Sequence, residues 1–87
     1  MRRKYRSQAA IICDILEALS SKPGIAPTRL SQEVNVPYTR LTGYLKLLKE
    51  KGLIFEDKGL YLTEEGFKML VEMRRVRKIF SSLGLKL

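Results

Sequence analysis

The stretch Val36-Pro37-Tyr38-Thr39-Arg40-Leu41-Thr42-Gly43-Tyr44-Leu45-Lys46-Leu47-Leu48-Lys49-Glu50-Lys51-Gly52-Leu53-Ile54-Phe55-Glu56-Asp57-Lys58-Gly59-Leu60-Tyr61-Leu62-Thr63 decides the architecture of this chain. Its first half has helical periodicity. Leu41, Tyr44, Leu45 and Leu48 fall within about 100° of arc at 100° per residue, so they form one buried stripe. Thr39, Gly43, Lys46 and Glu50 lie opposite, flanked by Thr42 and Lys49, with Arg40 on the other edge. Pro37 suits the first position of such a helix, where its missing N–H would be unpaired anyway, and Gly52 stops it. From Leu53 to Thr63 the pattern changes to period two with aromatic and branched residues, and Lys58-Gly59 supplies a turn, so a short hairpin is expected.

Upstream, Ile12, Ile15, Leu16 and Leu19 recur at helical spacing over about residues 7–20. Lys22-Pro23-Gly24 is a loop, and Ile25-Ala26 can supply at most a short edge strand. A brief helix follows, with Pro27 in its first turn and Leu30 and Val34 one turn apart. Asn35-Val36-Pro37 then turns into the helix described above. Two helices joined by a short turn, the second basic on its outer face, make a helix-turn-helix, and the hairpin behind it is a wing. The expected class is therefore α+β, mainly α: a winged helix-turn-helix of three helices and a β-hairpin, extended by a long C-terminal helix. Thr63 caps that last helix, Glu64 and Glu65 suit the positive end of its dipole, and Gly84 ends it. One domain spans residues 1–87: a basic arm over 1–6, the winged-helix body over 7–63 and the last helix over 64–83.

Charge points to the partner. The net charge is +8 in 87 residues, and it is clustered. Arg2, Arg3, Lys4 and Arg6 precede any acid. Arg40, Lys46, Lys49 and Lys51 outweigh Glu50 in the third helix, and six cations face one acid beyond residue 66. Clustered positive charge is the footprint of a polyanion. The candidate DNA-contacting residues are Arg2, Arg3, Lys4 and Arg6 in the arm, Tyr38, Thr39, Arg40, Thr42, Gly43 and Lys46 on the third helix, and Lys58 at the wing tip. Glu56 and Asp57 beside Lys58 argue for a minor wing. Gly43 costs about 1 kcal/mol relative to Ala inside a helix, so it needs a reason: close approach to DNA, or tight packing.

The last helix shows two apolar faces. Phe67, Leu70 and Val71 are expected to pack on the body. Met69, Met73, Val76, Phe80 and Leu83 are spaced 4, 3, 4 and 3, the seam of a coiled coil, and mark a homodimer interface; the competing reading is that this stripe covers the domain's own first helix. Glu72 and Arg77 would pair in a parallel coil, whereas an antiparallel one could bring two Arg77 side chains together, so strand direction stays open.

The strings Arg2-Arg3-Lys4-Tyr5-Arg6, Ile11-Ile12…Ile15-Leu16-Glu17-Ala18, Asn35-Val36-Pro37-Tyr38, Tyr44 to Ile54 and Tyr61-Leu62-Thr63-Glu64-Glu65-Gly66 resemble the small archaeal winged-helix DNA-binding proteins that dimerise through a C-terminal coiled-coil helix. The resemblance implies duplex DNA and a second copy as partners, a role as transcription regulator or nucleoid-associated chromatin component, and no catalysis. The alternative is a winged-helix subunit that binds protein within a larger complex.

Other classes find little support. There is no His, no Cys pair, no Gly-rich phosphate loop and no clustered buried carboxylate pair that spacing could justify, so no catalytic residue, cofactor or metal site is expected. The single Cys13 reads as a small packing residue. No apolar run approaches the ~20 residues of a membrane span, and Asp14 and Glu17 interrupt the run a signal peptide would need; a cytoplasmic, nucleoid-associated location is the expectation. No small-molecule ligand is evident.

Overall fold

The computed structural model describes residues 6–87, and the expected Arg2, Arg3 and Lys4 contacts lie outside them. The elements are α1 (Gln8–Ser21), α2 (Pro27–Val34), α3 (Tyr38–Glu50), β1 (Ile54–Glu56), β2 (Leu60–Leu62) and α4 (Glu64–Ser82). Each helix start has a local cause. The Ser7 hydroxyl accepts from the Ala10 N–H at 3.0 Å, satisfying a donor that the first turn leaves open. Pro27 opens α2. Asn35 adopts a left-handed conformation (φ 57°) that closes α2 and reverses the chain toward α3. Pro37 is the residue before α3 rather than its first, a one-residue difference of the kind that helix ends always show.

The helices enclose a single core. Ile15, Leu16 and Leu19 of α1 meet Leu30 of α2, Leu41 and Leu48 of α3, Leu60 of β2 and Leu70 of α4, all almost wholly removed from solvent. Cys13 is in this core. On α1, Ile11 is buried and Ile12 is only half-buried, and Tyr44 likewise borders the core rather than filling it. Ile25 pairs with Leu60, its carbonyl accepting from the Leu60 N–H at 2.9 Å, and so adds the short edge strand to the hairpin.

The hairpin turn is one residue longer than Lys58-Gly59. β1 and β2 pair antiparallel with Ile54 opposite Leu62, Phe55 opposite Tyr61 and Glu56 opposite Leu60, leaving Asp57-Lys58-Gly59 as a three-residue loop. Lys58 takes the left-handed conformation there, with φ 56°, a common hairpin solution. The register puts Ile54 and Leu60 inward, and it stacks the rings of Phe55 and Tyr61 on the outer face with centroids 5.3 Å apart.

α4 differs most from expectation. Leu70 is buried, but Phe67 and Val71 are exposed. The face against the body follows Gly66, Leu70, Met73 and Arg77, spaced 4, 3 and 4. Gly66 has a steric reason: a Cβ there would run into the Leu53 carbonyl. Further along, the contact with α1 is ionic. Arg74 donates twice to Glu17, from Nε at 2.7 Å and Nη2 at 2.8 Å, and Arg77 donates to Asp14 at 3.2 Å and to the Cys13 sulfur at 3.4 Å. The helix begins on Thr63, whose hydroxyl accepts from the Gly66 N–H at 2.9 Å and donates to the Gly52 carbonyl at 2.7 Å. It ends at Gly84 (φ 78°), with the Leu85 N–H on the Phe80 carbonyl and the Gly84 N–H on the Ser81 carbonyl, a Schellman closure. Among the described residues, no helix is long and apolar enough to cross a membrane.

The glycine at the root of α4 is open to test. Gly66→Ala should destabilise the domain by about 1–3 kcal/mol through overpacking, lowering the melting temperature by about 4–8 °C for each kcal/mol. A thermal melt unchanged from the parent would mean that α4 does not lie this close to Leu53.

Candidate nucleic-acid interface

α3 is held by its apolar stripe, so its other residues are presented to solvent together. Tyr38, Thr39, Arg40, Thr42, Gly43 and Lys46 are all exposed. Tyr38, Thr42 and Lys46 line a shallow groove that continues over Lys49, Glu50 and Glu56 of the wing to Pro27. Thr39, Gly43 and Lys46 form the outermost line. The Thr42 hydroxyl donates to the Thr39 carbonyl at 2.8 Å, which draws that side chain against the helix and leaves its methyl outward. Arg40 donates weakly to the Tyr44 hydroxyl at 3.4 Å, on the edge away from the wing.

Gly43 now has only one of its two reasons. Apart from its chain neighbours and the backbone of its own helix, no heavy atom lies within 4 Å of the place where its Cβ would be. Packing inside the chain therefore does not require a glycine, and an alanine would fit. The cost of a mid-helix glycine, about 1 kcal/mol, is left with an explanation outside the molecule.

Arg6 is not on this surface. Its Nη1 donates to Asp14 at 2.8 Å, and its Nη2 donates to the Val34 and Asn35 carbonyls at 2.7 and 3.1 Å. The guanidinium thus binds a carboxylate and the C-terminal carbonyls of α2 together, a use that suits a planar fork and a helix C-terminus. Composition alone grouped Arg6 with the arm, because an intrachain acceptor 28 residues away leaves no local mark in sequence.

At the wing, Lys58 is exposed at the tip. Glu56 is held by Lys49, Nζ to carboxylate 2.7 Å, and this ion pair ties the end of α3 to β1. The wing is consequently less acidic toward a polyanion than Glu56 and Asp57 suggest from sequence. Two further features escaped the sequence reading: the Lys49–Glu56 tie and the stacked Phe55–Tyr61 pair, whose Phe55 is 46% exposed. The cue for the aromatic pair is the hairpin register, which a one-residue change in turn length moves.

The proposed dimer residues divide. Met69, Val76 and Leu83 are exposed, Leu83 at 68%. Met73 packs against the core, and Phe80 is half-buried. Ile79, outside the expected seam, is 54% exposed.

Ion pairs shift the acids behind the interface. The double hydrogen bond from Arg74 holds the Glu17 carboxyl below its ordinary value of 4.5, against a smaller upward push from burial. Hydrogen bonding from Lys22 does the same for Glu33. Burial raises the Cys13 thiol, and the nearby Arg77 charge only partly offsets it, so the sulfur is a packing group rather than a nucleophile.

Helix-turn-helix, third strand and wing, with the second helix of the motif basic and unobstructed, define a class of domain that meets duplex DNA through that helix. The chain belongs to the winged helix-turn-helix family, whose model matches residues 5–81. No match is found among curated proteins.

The Glu17 pair predicts an acid response. A carboxylate with a depressed folded value contributes its full stability above 4.5 and loses it as pH falls through the lower folded value. Glu17→Gln should therefore lower the melting temperature near neutrality, and the difference from the parent should shrink below pH 4.5. Parallel melting curves at all pH values would remove the pair's role.

Proposed function

We propose that this chain binds duplex DNA as a homodimer, acting as a transcription regulator or nucleoid-associated protein. The observation that carries this reading is the outer face of α3. It is basic, exposed along its length, and interrupted by a glycine that the chain's own packing does not need. A helix in the major groove must bring its backbone close to the duplex; Gly43, between Thr39 and Lys46, is where a side chain would hold it off. Thr39, Thr42 and Lys46 face base edges in this arrangement. Tyr38 and Arg40 lie at the helix's N-terminal end, Lys58 reaches phosphate from the wing, and Arg2, Arg3 and Lys4 neutralise flanking phosphates or enter a minor groove.

Dimerisation draws support from the exposed side of α4. With Met73 packed against the core, the outward line is Met69, Glu72, Val76, Ile79 and Leu83, spaced 3, 4, 3 and 4, again the period of a coiled-coil seam. Full burial of each aliphatic member is worth roughly 1.5–3 kcal/mol. The direction of the pairing follows from charge. Arg77 is bound to Asp14 and Cys13, so it is not available to Glu72 of a parallel partner, and a parallel seam would set two Glu72 carboxylates face to face. An antiparallel seam avoids both difficulties.

A second reading, a protein-binding subunit of a larger complex, draws on the Phe55–Tyr61 pair. An aromatic stack on the outer hairpin face, with Phe55 exposed and Tyr61 half-buried, is a surface that a protein partner could cover.

Titration of a random duplex and of the gene's own upstream region, at several salt concentrations, tests the DNA reading. Binding should weaken with salt by about 0.9 in the log–log slope for each phosphate neutralised. Equal affinities would indicate packaging, and a preference for the upstream region regulation. Absence of binding at low salt would sink the DNA reading and favour the protein-binding one. In the same assay Gly43→Ala should weaken DNA binding while stabilising the free domain by about 0.5–1 kcal/mol.

Ile79→Asp tests the seam. The residue is exposed in the single chain, so the variant should stay folded and sediment as a monomer where the parent is a dimer. A parent that is monomeric, or a variant of unchanged mass, would remove the α4 dimer.

A further inference from the structure

α3 presents two threonines to solvent, Thr39 and Thr42, and the orientation of the second is set by its own helix. The Thr42 hydroxyl donates its only proton to the Thr39 carbonyl at 2.8 Å, so Oγ1 lies back against the backbone. The other heavy group on a threonine Cβ is a methyl. Thr42 is exposed, and what it presents to a partner is therefore chiefly carbon. Its surroundings are of the same kind. Tyr38, one turn earlier, is 48% exposed, and Pro27 and Leu45 line the same groove. Gly43, next in the chain, has no side chain to stand between this methyl and a surface laid on α3. Lys46, one turn beyond Thr42, has no carboxylate partner among the described residues, whereas Lys49 is turned to Glu56. The line Tyr38, Thr42, Lys46 thus runs from carbon to a single available cation.

Such a face matches one feature of the major groove. Base pairs present hydrogen-bond donors and acceptors there, together with one apolar group, the C5-methyl of thymine. A threonine that has given its proton to its own helix has none left for a base N7 or carbonyl. We propose that Thr42 is a specificity-determining residue: its methyl packs on the 5-methyl group of a pyrimidine in the major groove, so that α3 favours methylated pyrimidine positions over unmethylated ones. Two bases carry that group, thymine and 5-methylcytosine. The inference rests on the reading that the chain binds duplex DNA through α3, and it adds which group on a base edge is read.

The competing arrangement uses the hydroxyl oxygen, which keeps lone pairs able to accept from a base amino group. Two substitutions separate the two. Thr42→Val keeps the methyl and removes the hydroxyl, and Thr42→Ser does the reverse. Thr42 is exposed, so both variants should fold, which thermal melts check.

The test measures the affinity of the full chain, at low salt, for alternating A·T duplex and its counterpart with uracil for thymine, and for alternating G·C duplex and its counterpart with 5-methylcytosine for cytosine. In the parent, the methylated member of a pair should bind about fourfold tighter for each methyl covered. A gain in the A·T pair alone identifies thymine as the source of the methyl, a gain in the G·C pair alone identifies 5-methylcytosine, and a gain in both shows that the methyl itself is read. Thr42→Val should keep the ratio, and Thr42→Ser should bring it to about one, since only the first retains the apolar contact. Equal affinities within both pairs for the parent would overturn the proposal, as would a ratio that survives in Thr42→Ser or is lost in Thr42→Val. Absence of parent binding to every duplex would instead overturn the DNA reading itself.

Discussion

The attitude of α4 is fixed at two points, and most of what the surface can do depends on it. At its root, Gly66 lets the helix cross the Leu53 carbonyl at a separation that no other residue permits. About two to three turns further on, Arg74 and Arg77 tie it to Glu17 and Asp14 of α1. Between these points Leu70 enters the core and Met73 borders it. A helix held along the line 66, 70, 73 and 77 has no rotational freedom left. Its outward side must be the one that carries Met69, Val76, Ile79 and Leu83.

That constraint explains where sequence reasoning succeeded and where it stopped. Helix order, the cap at Thr63, the short edge strand at Ile25 and the end of α4 at Gly84 all rest on local chemistry, which a reader of residues can follow. The buried stripe of α3 is legible for the same reason, since Leu41, Leu45 and Leu48 face inward at their helical spacing. The rotation of α4 was not legible. Its inner face is half ionic, and apolar periodicity cannot see an interface made by guanidinium groups and carboxylates. Phe67 and Val71 read as inward because they are apolar, and the same bias draws Met73 into the outer seam.

The wing shows a second limit of the same kind. Alternation located both strands, yet the pairing depends on whether two or three residues make the turn. Lys58 accepts a positive φ, and the three-residue loop that results sets Phe55 opposite Tyr61. With one residue fewer, those rings would not face each other. The exposure of the outer α3 residues follows from helical geometry, whereas the ties that shape the surface around them, Lys49 to Glu56 and Arg6 to Asp14, join residues too far apart in sequence to be paired by inspection.

Those ties change how the positive charge should be counted. A lysine or arginine bound to a carboxylate at the surface contributes little stability by itself, but it alters which charges are available to a polyanion. Arg74 and Arg77 are turned to α1, Arg6 to the α2 terminus, and Lys49 to the wing. The basic residues of α3 with no such carboxylate among the described residues include Arg40 and Lys46. A net charge of +8 is therefore a poor guide to the number of phosphates one copy can neutralise. The intrachain pairs do the mechanical work of holding α4, the wing and the helix-turn-helix in register, and a small set of unpaired cations is left along α3. A surface of that kind offers few cations per copy, and in the dimer proposed above a second copy would double the number that a duplex could meet at once.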